Sequence, residues 1–171
     1  MRCINNSLFR RIELQLLMNL TARALGQPPR RLWTLKNDEA LAAYAEYTRD
    51  SLKEGVTPQL LQRMNQEAYK MGRLLRRLMF LKRQETIERV VVALYRNIGI
   101  DIEGHLPGQL CFRRCFFSRY YTPDICLAAS ALDEGIMQGL AGDGQLVFHQ
   151  RITAGCQHCL ATFHKKKNKK R

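Results

Sequence analysis

The chain has 171 residues, of which 46% are apolar, and a formal net charge of +13. This length can bury a core without disulfide or metal staples, so wholesale disorder is excluded and a single domain is expected. No apolar run approaches the roughly 20 residues that cross a bilayer, so no membrane span is predicted.

The positive charge is concentrated at the C-terminus. Residues 165–171 read KKKNKKR and carry six of the charges, which leaves about +7 on the rest of the chain. A block of like charges repels itself and stays solvated. This segment is therefore predicted to be a basic, disordered tail, and nucleic-acid binding through phosphate attraction is its functional alternative.

Residues 1–36 are predicted to be an N-terminal helical extension and linker. Helical apolar spacing covers residues 8–25 and ends at Gly26 and Pro28–Pro29. In the linker that follows, Trp33 and Leu35 are expected to pack on the body as an anchor.

The N-terminal stretch also bears on localisation. Glu13 and Gln15 interrupt its apolar run, which makes a poor signal peptide, although an Arg-rich organelle-targeting peptide is an alternative. A further possibility is that Met18 is the true start and residues 1–17 are not native. Six cysteines without a convincing export signal favour a reducing compartment, so a cytoplasmic protein is expected.

Residues 37–164 are predicted to form one α+β domain, in which helices pack on a small antiparallel sheet with one further helix. Long local helices and short β connections favour this class over a doubly wound α/β fold. Helix caps, apolar periodicity and alternation predict helices over 37–53, 57–81, 84–98 and 122–140, one or two strands in 99–121, and strands over 145–153 and 159–164.

Five cysteines fall in the C-terminal third with the spacing C-x3-C-x10-C-x29-C-x2-C. Two thiolates on one tight turn can bind the same tetrahedral ion, which is why C-x2-C pairs suit metals. The pattern predicts a site for zinc or an iron–sulfur cluster. A set of redox-active thiols and a set of ordinary buried cysteines are the alternatives. The candidate ligands are Cys111, Cys115, Cys126, Cys156 and Cys159.

The helix predicted after Thr122 carries two further candidate features. Cys126 falls in its first turn, where the helix dipole favours the thiolate. Asp133 shares the face of Cys126 and is a weak candidate for a general base. Gly135 and Gly139 lie one turn apart on another face and permit close approach of a neighbouring backbone. No phosphate-binding loop and no dinucleotide-binding or zinc-protease motif is found.

Residues 126–163 read CLAASALDEGIMQGLAGDGQLVFHQRITAGCQHCLATF and end on Gly155, Cys159 and Phe163 in a G-x-x-x-C-x-x-x-F pattern. This segment resembles the small-ligand-binding domains related to the 4-vinyl reductase domain, and the L-2-amino-thiazoline-4-carboxylic acid hydrolase-like proteins. The resemblance implies an α+β fold with a hydrophobic pocket between helices and sheet. It also implies cysteine ligands to zinc at Cys126 and Cys159, while Cys111, Cys115 and Cys156 are additions in this chain.

Three functions are therefore expected as alternatives. The first is a cysteine-rich metal- or cluster-binding domain with a small-molecule pocket, acting as a sensor or accessory protein. The second, which follows from the resemblance, is a small hydrolase of the thiazoline-carboxylate type. The third is a nucleic-acid-binding protein that uses its basic tail.

Overall fold

The computed structural model describes residues 6–53 and 55–165. In this part of the chain, four helices precede a four-stranded antiparallel sheet, and a fifth helix lies between its second and third strands. The expected α+β fold is confirmed. The helices are α1 (Asn6–Leu25), α2 (Asn37–Lys53), α3 (Pro58–Leu78), α4 (Gln84–Asn97) and α5 (Pro123–Ala141), and the strands are β1 (Ile100–Gly104), β2 (Gly108–Cys115), β3 (Gly144–Gln150) and β4 (Cys159–Lys165).

Two helices begin as their sequences predict. The Thr57 hydroxyl accepts a hydrogen bond from the Leu60 amide at 3.1 Å at the start of α3. The Thr122 hydroxyl accepts one from the Ile125 amide at 3.4 Å at the start of α5. In both helices a proline follows the cap, where its missing N–H costs no hydrogen bond.

The sheet has the strand order β1-β2-β4-β3, and one of its faces packs against the helices. Side chains alternate between the two faces because successive residues of a strand point in opposite directions. Leu110, Phe112, Ala161 and Phe163 are buried on the inner face. The residues between them are half-buried or exposed.

The helix assigned to an N-terminal extension is packed into the common core. Leu14 and Met18 of α1 are fully buried within the same hydrophobic cluster as the sheet. The Gln15 side chain accepts a hydrogen bond from the Leu32 amide at 2.7 Å and so fixes the linker on α1. Of the two residues expected to anchor the linker, Leu35 is partly buried and packs against the core. The expectation for Trp33 is wrong, because its side chain is about half exposed while Leu32 is fully buried.

The close helix contact expected at Gly135 and Gly139 is confirmed, and α3 is the partner. A Cβ atom at Gly135 would lie 2.2 Å from the Asn65 carbonyl oxygen, and one at Gly139 would lie 2.5 Å from that of Tyr69. Gly72 of α3 faces them from the other side of the crossing. The α3/α5 pair therefore forms a backbone-to-backbone contact that tolerates no side chains.

Two features of the sequence lie wholly or partly outside the described residues. Cys3 lies outside them, and so do residues 166–171 of the basic segment. Lys165, the first residue of that segment, is paired with Gly144 in the sheet. None of the helices in residues 6–53 and 55–165 is long and apolar enough to cross a membrane.

Candidate ligand-binding cavity and cysteine cluster

A cavity of about 590 Å³ lies between α1, α3, α4 and α5 and the ends of β1 and β2. Most of its wall is aliphatic or aromatic, with Leu17, Leu94 and Leu132 among the lining residues. Volumes of this size are typical of small-molecule sites, which combine apolar walls with a few polar groups. The polar and thiol groups of the wall are Glu13, Tyr44, Tyr95, Asn97, Cys115, Tyr121, Cys126 and Asp133.

Asp133 is a half-buried carboxylate of the cavity wall. Burial raises its pKa to about 6, although a hydrogen bond from Tyr95 and the charge of Arg151 act in the opposite direction. The Tyr95 hydroxyl donates that bond to the Asp133 carboxylate at 3.0 Å. A carboxyl group with a pKa near neutrality and a fixed orientation can accept a proton or a hydrogen bond from a bound molecule.

Three of the five candidate cysteines lie close enough to Asp133 for its charge to act on them. Burial is the largest cause that raises the pKa of the Cys115, Cys126 and Cys159 thiols, and the negative charge of Asp133 raises it further. The pKa of Cys115 rises to about 12. Two of these neutral thiols, Cys115 and Cys126, line this end of the cavity at physiological pH.

The expectation that the helix dipole makes Cys126 a thiolate is wrong. Burial outweighs the helix terminus and raises the pKa of the Cys126 thiol, although Thr153 and Arg151 beside it act to lower it. The Arg151 guanidinium donates a hydrogen bond to the Ser130 hydroxyl at 2.9 Å and lies 4.6 Å from the centre of the Phe148 ring. Arg151 thus lies beside Cys126 but does not line the cavity.

Cys159 occupies a rigid position at the start of β4. It pairs with Phe112 of β2, so the two side chains share the inner face of the sheet. Its sulfur accepts a hydrogen bond from the Ile152 amide at 3.3 Å. The Phe112 ring contacts the Tyr95 ring at 5.8 Å between centroids, which connects Cys159 to the tyrosine that holds Asp133.

No family model matches the chain, and no curated protein matches it. The resemblance to the 4-vinyl reductase-type domains therefore stays a prediction. The cavity has to be interpreted from its own chemistry.

The other two candidate cysteines lie apart from Asp133. Cys111 pairs with Glu103 and Leu160 on the outer face of the sheet, whereas its neighbours Leu110 and Phe112 point inward. Cys156 lies in the turn before β4 and is half-buried. Its backbone amide donates to the Arg151 carbonyl at 3.3 Å.

A β-bulge at Arg113 separates Cys111 from Cys115. In a regular strand, residues four positions apart lie on the same face. Here Asp101 pairs with Arg114 and Ile102 pairs with Phe112, so Arg113 is an extra residue in β2. The bulge turns Cys115 toward the cavity and leaves Cys111 outside.

The structure does not arrange these cysteines as a metal centre. Among residues 6–53 and 55–165, no group of three or more histidine, cysteine, aspartate or glutamate side chains could hold a metal ion. The donor set as it stands does not fit zinc, whose four ligands must meet at about 2.0–2.3 Å. The binding of zinc or an iron–sulfur cluster stays a prediction that direct metal analysis can test.

Glu13 is a cavity residue that the sequence did not identify. Burial raises its pKa to about 8, although a hydrogen bond from Asn97 and the charge of Arg10 act to lower it. The Asn97 amide donates that bond at 3.1 Å, and the Arg10 guanidinium donates to the Asn97 backbone carbonyl. The sequence signal that could have identified Glu13 is its spacing, because an acid four residues after Phe9 falls on the apolar side of α1.

Proposed function

We propose that the chain binds a small, mainly apolar molecule in the 590 Å³ cavity. The observation that supports this most strongly is the cavity itself, which combines an apolar wall with two protonatable carboxyl groups, Glu13 and Asp133. An apolar ligand gains free energy from leaving water, and a few polar groups fix its orientation.

The polar groups of the cavity wall indicate which hydrogen-bonding groups such a ligand would carry. Glu13 is mostly protonated near pH 7, since burial raises its pKa to about 8, and a protonated carboxyl can donate a hydrogen bond. Asp133 is mostly ionised near pH 7 and accepts hydrogen bonds. A ligand with an apolar body and at least one hydroxyl, carbonyl or amine group fits this pattern.

Ala129 provides a direct test, because it lines the cavity from α5. Ala129→Phe would fill part of the space, and we expect it to weaken binding of the neutral fluorophore N-phenyl-1-naphthylamine at least about tenfold, since each tenfold loss is about 1.4 kcal/mol. Ala154→Phe is the matched control, because Ala154 is exposed and does not line the cavity. Equal affinity of both variants and the wild type would contradict the proposal.

A hydrolase is the second candidate, and Asp133 is the observation that favours it. Its half-buried carboxylate faces the cavity with a pKa of about 6, which suits a general base near neutral pH. Hydrolysis of 2-amino-thiazoline-4-carboxylate by the wild type and its loss in Asp133→Asn would support this function. Binding of the fluorophore without turnover would leave the chain a binding protein.

A further inference from the structure

The C-terminal end of α3 forms an exposed apolar surface, here called the apolar tip, made of Leu74, Leu78, Met79 and Phe80. Leu78 is 66% exposed and Phe80 is 81% exposed. Leu78 and Met79 also line the cavity. The tip therefore lies at the mouth of the cavity, where α1 contributes the exposed side chains of Phe9 and Leu16.

Phe80 adopts a backbone conformation that favours glycine. Its φ is +50°, in the left-handed region that bulky residues rarely enter. The amide of Phe80 donates to the Arg77 carbonyl at 3.1 Å and that of Leu81 to the Arg76 carbonyl at 3.0 Å, the helix ending in which glycine is usual. A large exposed aromatic side chain at this position strains the fold and adds no burial, which points to a role outside it.

Basic residues flank the apolar tip along the chain. Residues 73–83 carry five basic side chains and no acidic one. None of the five forms an ion pair with a carboxylate in the described part of the chain. The five are Arg73, Arg76, Arg77, Lys82 and Arg83.

We propose that the apolar tip docks on an anionic membrane surface and places the mouth of the cavity against the lipid. Exposed apolar side chains with adjacent lysines and arginines are the combination that binds the interface of a bilayer containing anionic lipid. The proposal rests on the proposed function, because an apolar ligand would then pass between bilayer and cavity without crossing water.

A second copy of the chain is a poorer occupant of this surface. In a twofold dimer the same patch faces itself, so the cations at residues 73–83 would meet the same cations of the other copy. An anionic bilayer supplies the opposite charge over a wide area. A single acidic protein partner is an outcome that the experiment below can distinguish.

The apolar contribution is tested with Leu74→Ser/Phe80→Gly in the intact chain, because both side chains are exposed and neither lines the cavity. The affinity for phosphatidylcholine vesicles containing phosphatidylserine, measured by co-sedimentation, should fall at least about tenfold, since two apolar side chains lose their contact with the lipid. Folding should be retained, because glycine adopts the left-handed conformation without strain. Leu127→Ser is the control, since Leu127 is also exposed but belongs to α5 and not to the apolar tip.

The charge contribution is tested with Arg77→Gln/Lys82→Gln/Arg83→Gln. Each cation near an anionic surface is worth about fivefold in binding, so the triple variant should bind about a hundredfold more weakly. Arg63 is an exposed cation nearer the start of α3. Arg63→Gln should therefore weaken vesicle binding by less than the roughly fivefold expected for each cation of the tip. Residues 165–171 are the same in every variant, so their charges do not affect the comparison.

The outcomes separate this proposal from the proposed function. Unchanged vesicle binding in both tip variants would overturn the membrane proposal, whatever the fluorophore shows. Loss of vesicle binding together with normal fluorophore binding in solution supports both. If the chain binds vesicles but no fluorophore, the membrane proposal is supported and the proposal of a cavity ligand is contradicted. If the wild type ignores vesicles but dimerises, or binds acidic proteins, through the tip, the occupant is a protein and the proposal is wrong.

Discussion

At the scale of single residues, Glu13 shows how burial controls a charge in this protein. The carboxyl lies in the cavity wall, and its pKa rises from 4.5 to about 8. Burial destabilises the charged form by more than the hydrogen bond from Asn97 and the charge of Arg10 stabilise it. Between these two values the folded chain binds more protons than the unfolded chain. The contribution of Glu13 to stability is therefore full below about pH 4.5 and is lost as the pH rises through 8.

Glu13→Gln should remove this dependence. We expect the variant to be more stable than the wild type at pH 8 by up to the order of 3 kcal/mol, and to differ little from it at pH 5, because Gln is never ionised. Urea unfolding at both pH values measures the difference. Glu46→Gln is the control, since Glu46 is exposed. A wild type whose stability rises from pH 5 to pH 8 in parallel with Glu13→Gln would contradict the assignment.

The metal prediction also belongs to single residues. Serine keeps the size of cysteine but is hard to deprotonate, so it weakens metal sites sharply. If the resemblance holds, metal content per chain after anaerobic purification should fall in Cys126→Ser and Cys159→Ser. It should stay unchanged in Cys111→Ser, because Cys111 lies on the outer face of the sheet, and in Cys3→Ser. A wild type without metal would show that the prediction is wrong and leave the cavity proposal intact.

At the scale of elements, the contact between α3 and α5 fixes one side of the cavity. Gly72, Gly135 and Gly139 bring the two backbones together, and the same two helices carry Met71, Leu75 and Ile136 into the cavity wall. The contact depends on the absence of side chains at the crossing. Glycine within a helix lowers its stability but allows a closer approach of a neighbouring backbone than any other residue.

Gly135→Ala should therefore destabilise the protein, although alanine is the better helix former. Its Cβ would lie 2.2 Å from the Asn65 carbonyl oxygen and 2.8 Å from the Ala68 Cβ. Forcing α3 and α5 apart should cost about 3 kcal/mol, at the upper end for overpacked cores. Thermal unfolding measures the loss, with Leu127→Ala as a control at an exposed position of the same helix. An unchanged melting temperature would show that the helices can separate freely.

At the scale of the whole molecule, the basic C-terminal segment is expected to add positive charge without contributing to the stability of the fold. Lys165 pairs with Gly144 at the end of β4, while residues 166–171 lie outside the described part of the chain. A run of like charges buries no apolar area. Ending the chain after Lys165 should therefore leave the melting temperature unchanged and reduce salt-sensitive binding to any polyanion. A large drop in melting temperature would show that the segment packs on the body.

Local signals in the sequence were sufficient for most elements. Thr57 and Thr122 are followed by proline, and both begin helices as predicted. Gly135 and Gly139 were predicted to permit a close backbone contact, but their partner Gly72 was not identified. The partner lies more than 60 positions earlier in the chain, and no local pattern encodes which helix will pack against α5.

The surroundings of the candidate site were not predictable in the same way. The apolar periodicity, caps and turns of this chain determined its α+β class, because those signals act over a few residues. The bulge at Arg113, the burial of Cys126 and the cavity beside Asp133 were decided only by the tertiary structure. Strand register and desolvation depend on elements distant in the sequence. The same spacing of cysteines thus leaves Cys111 on the outer face and turns Cys115 inward.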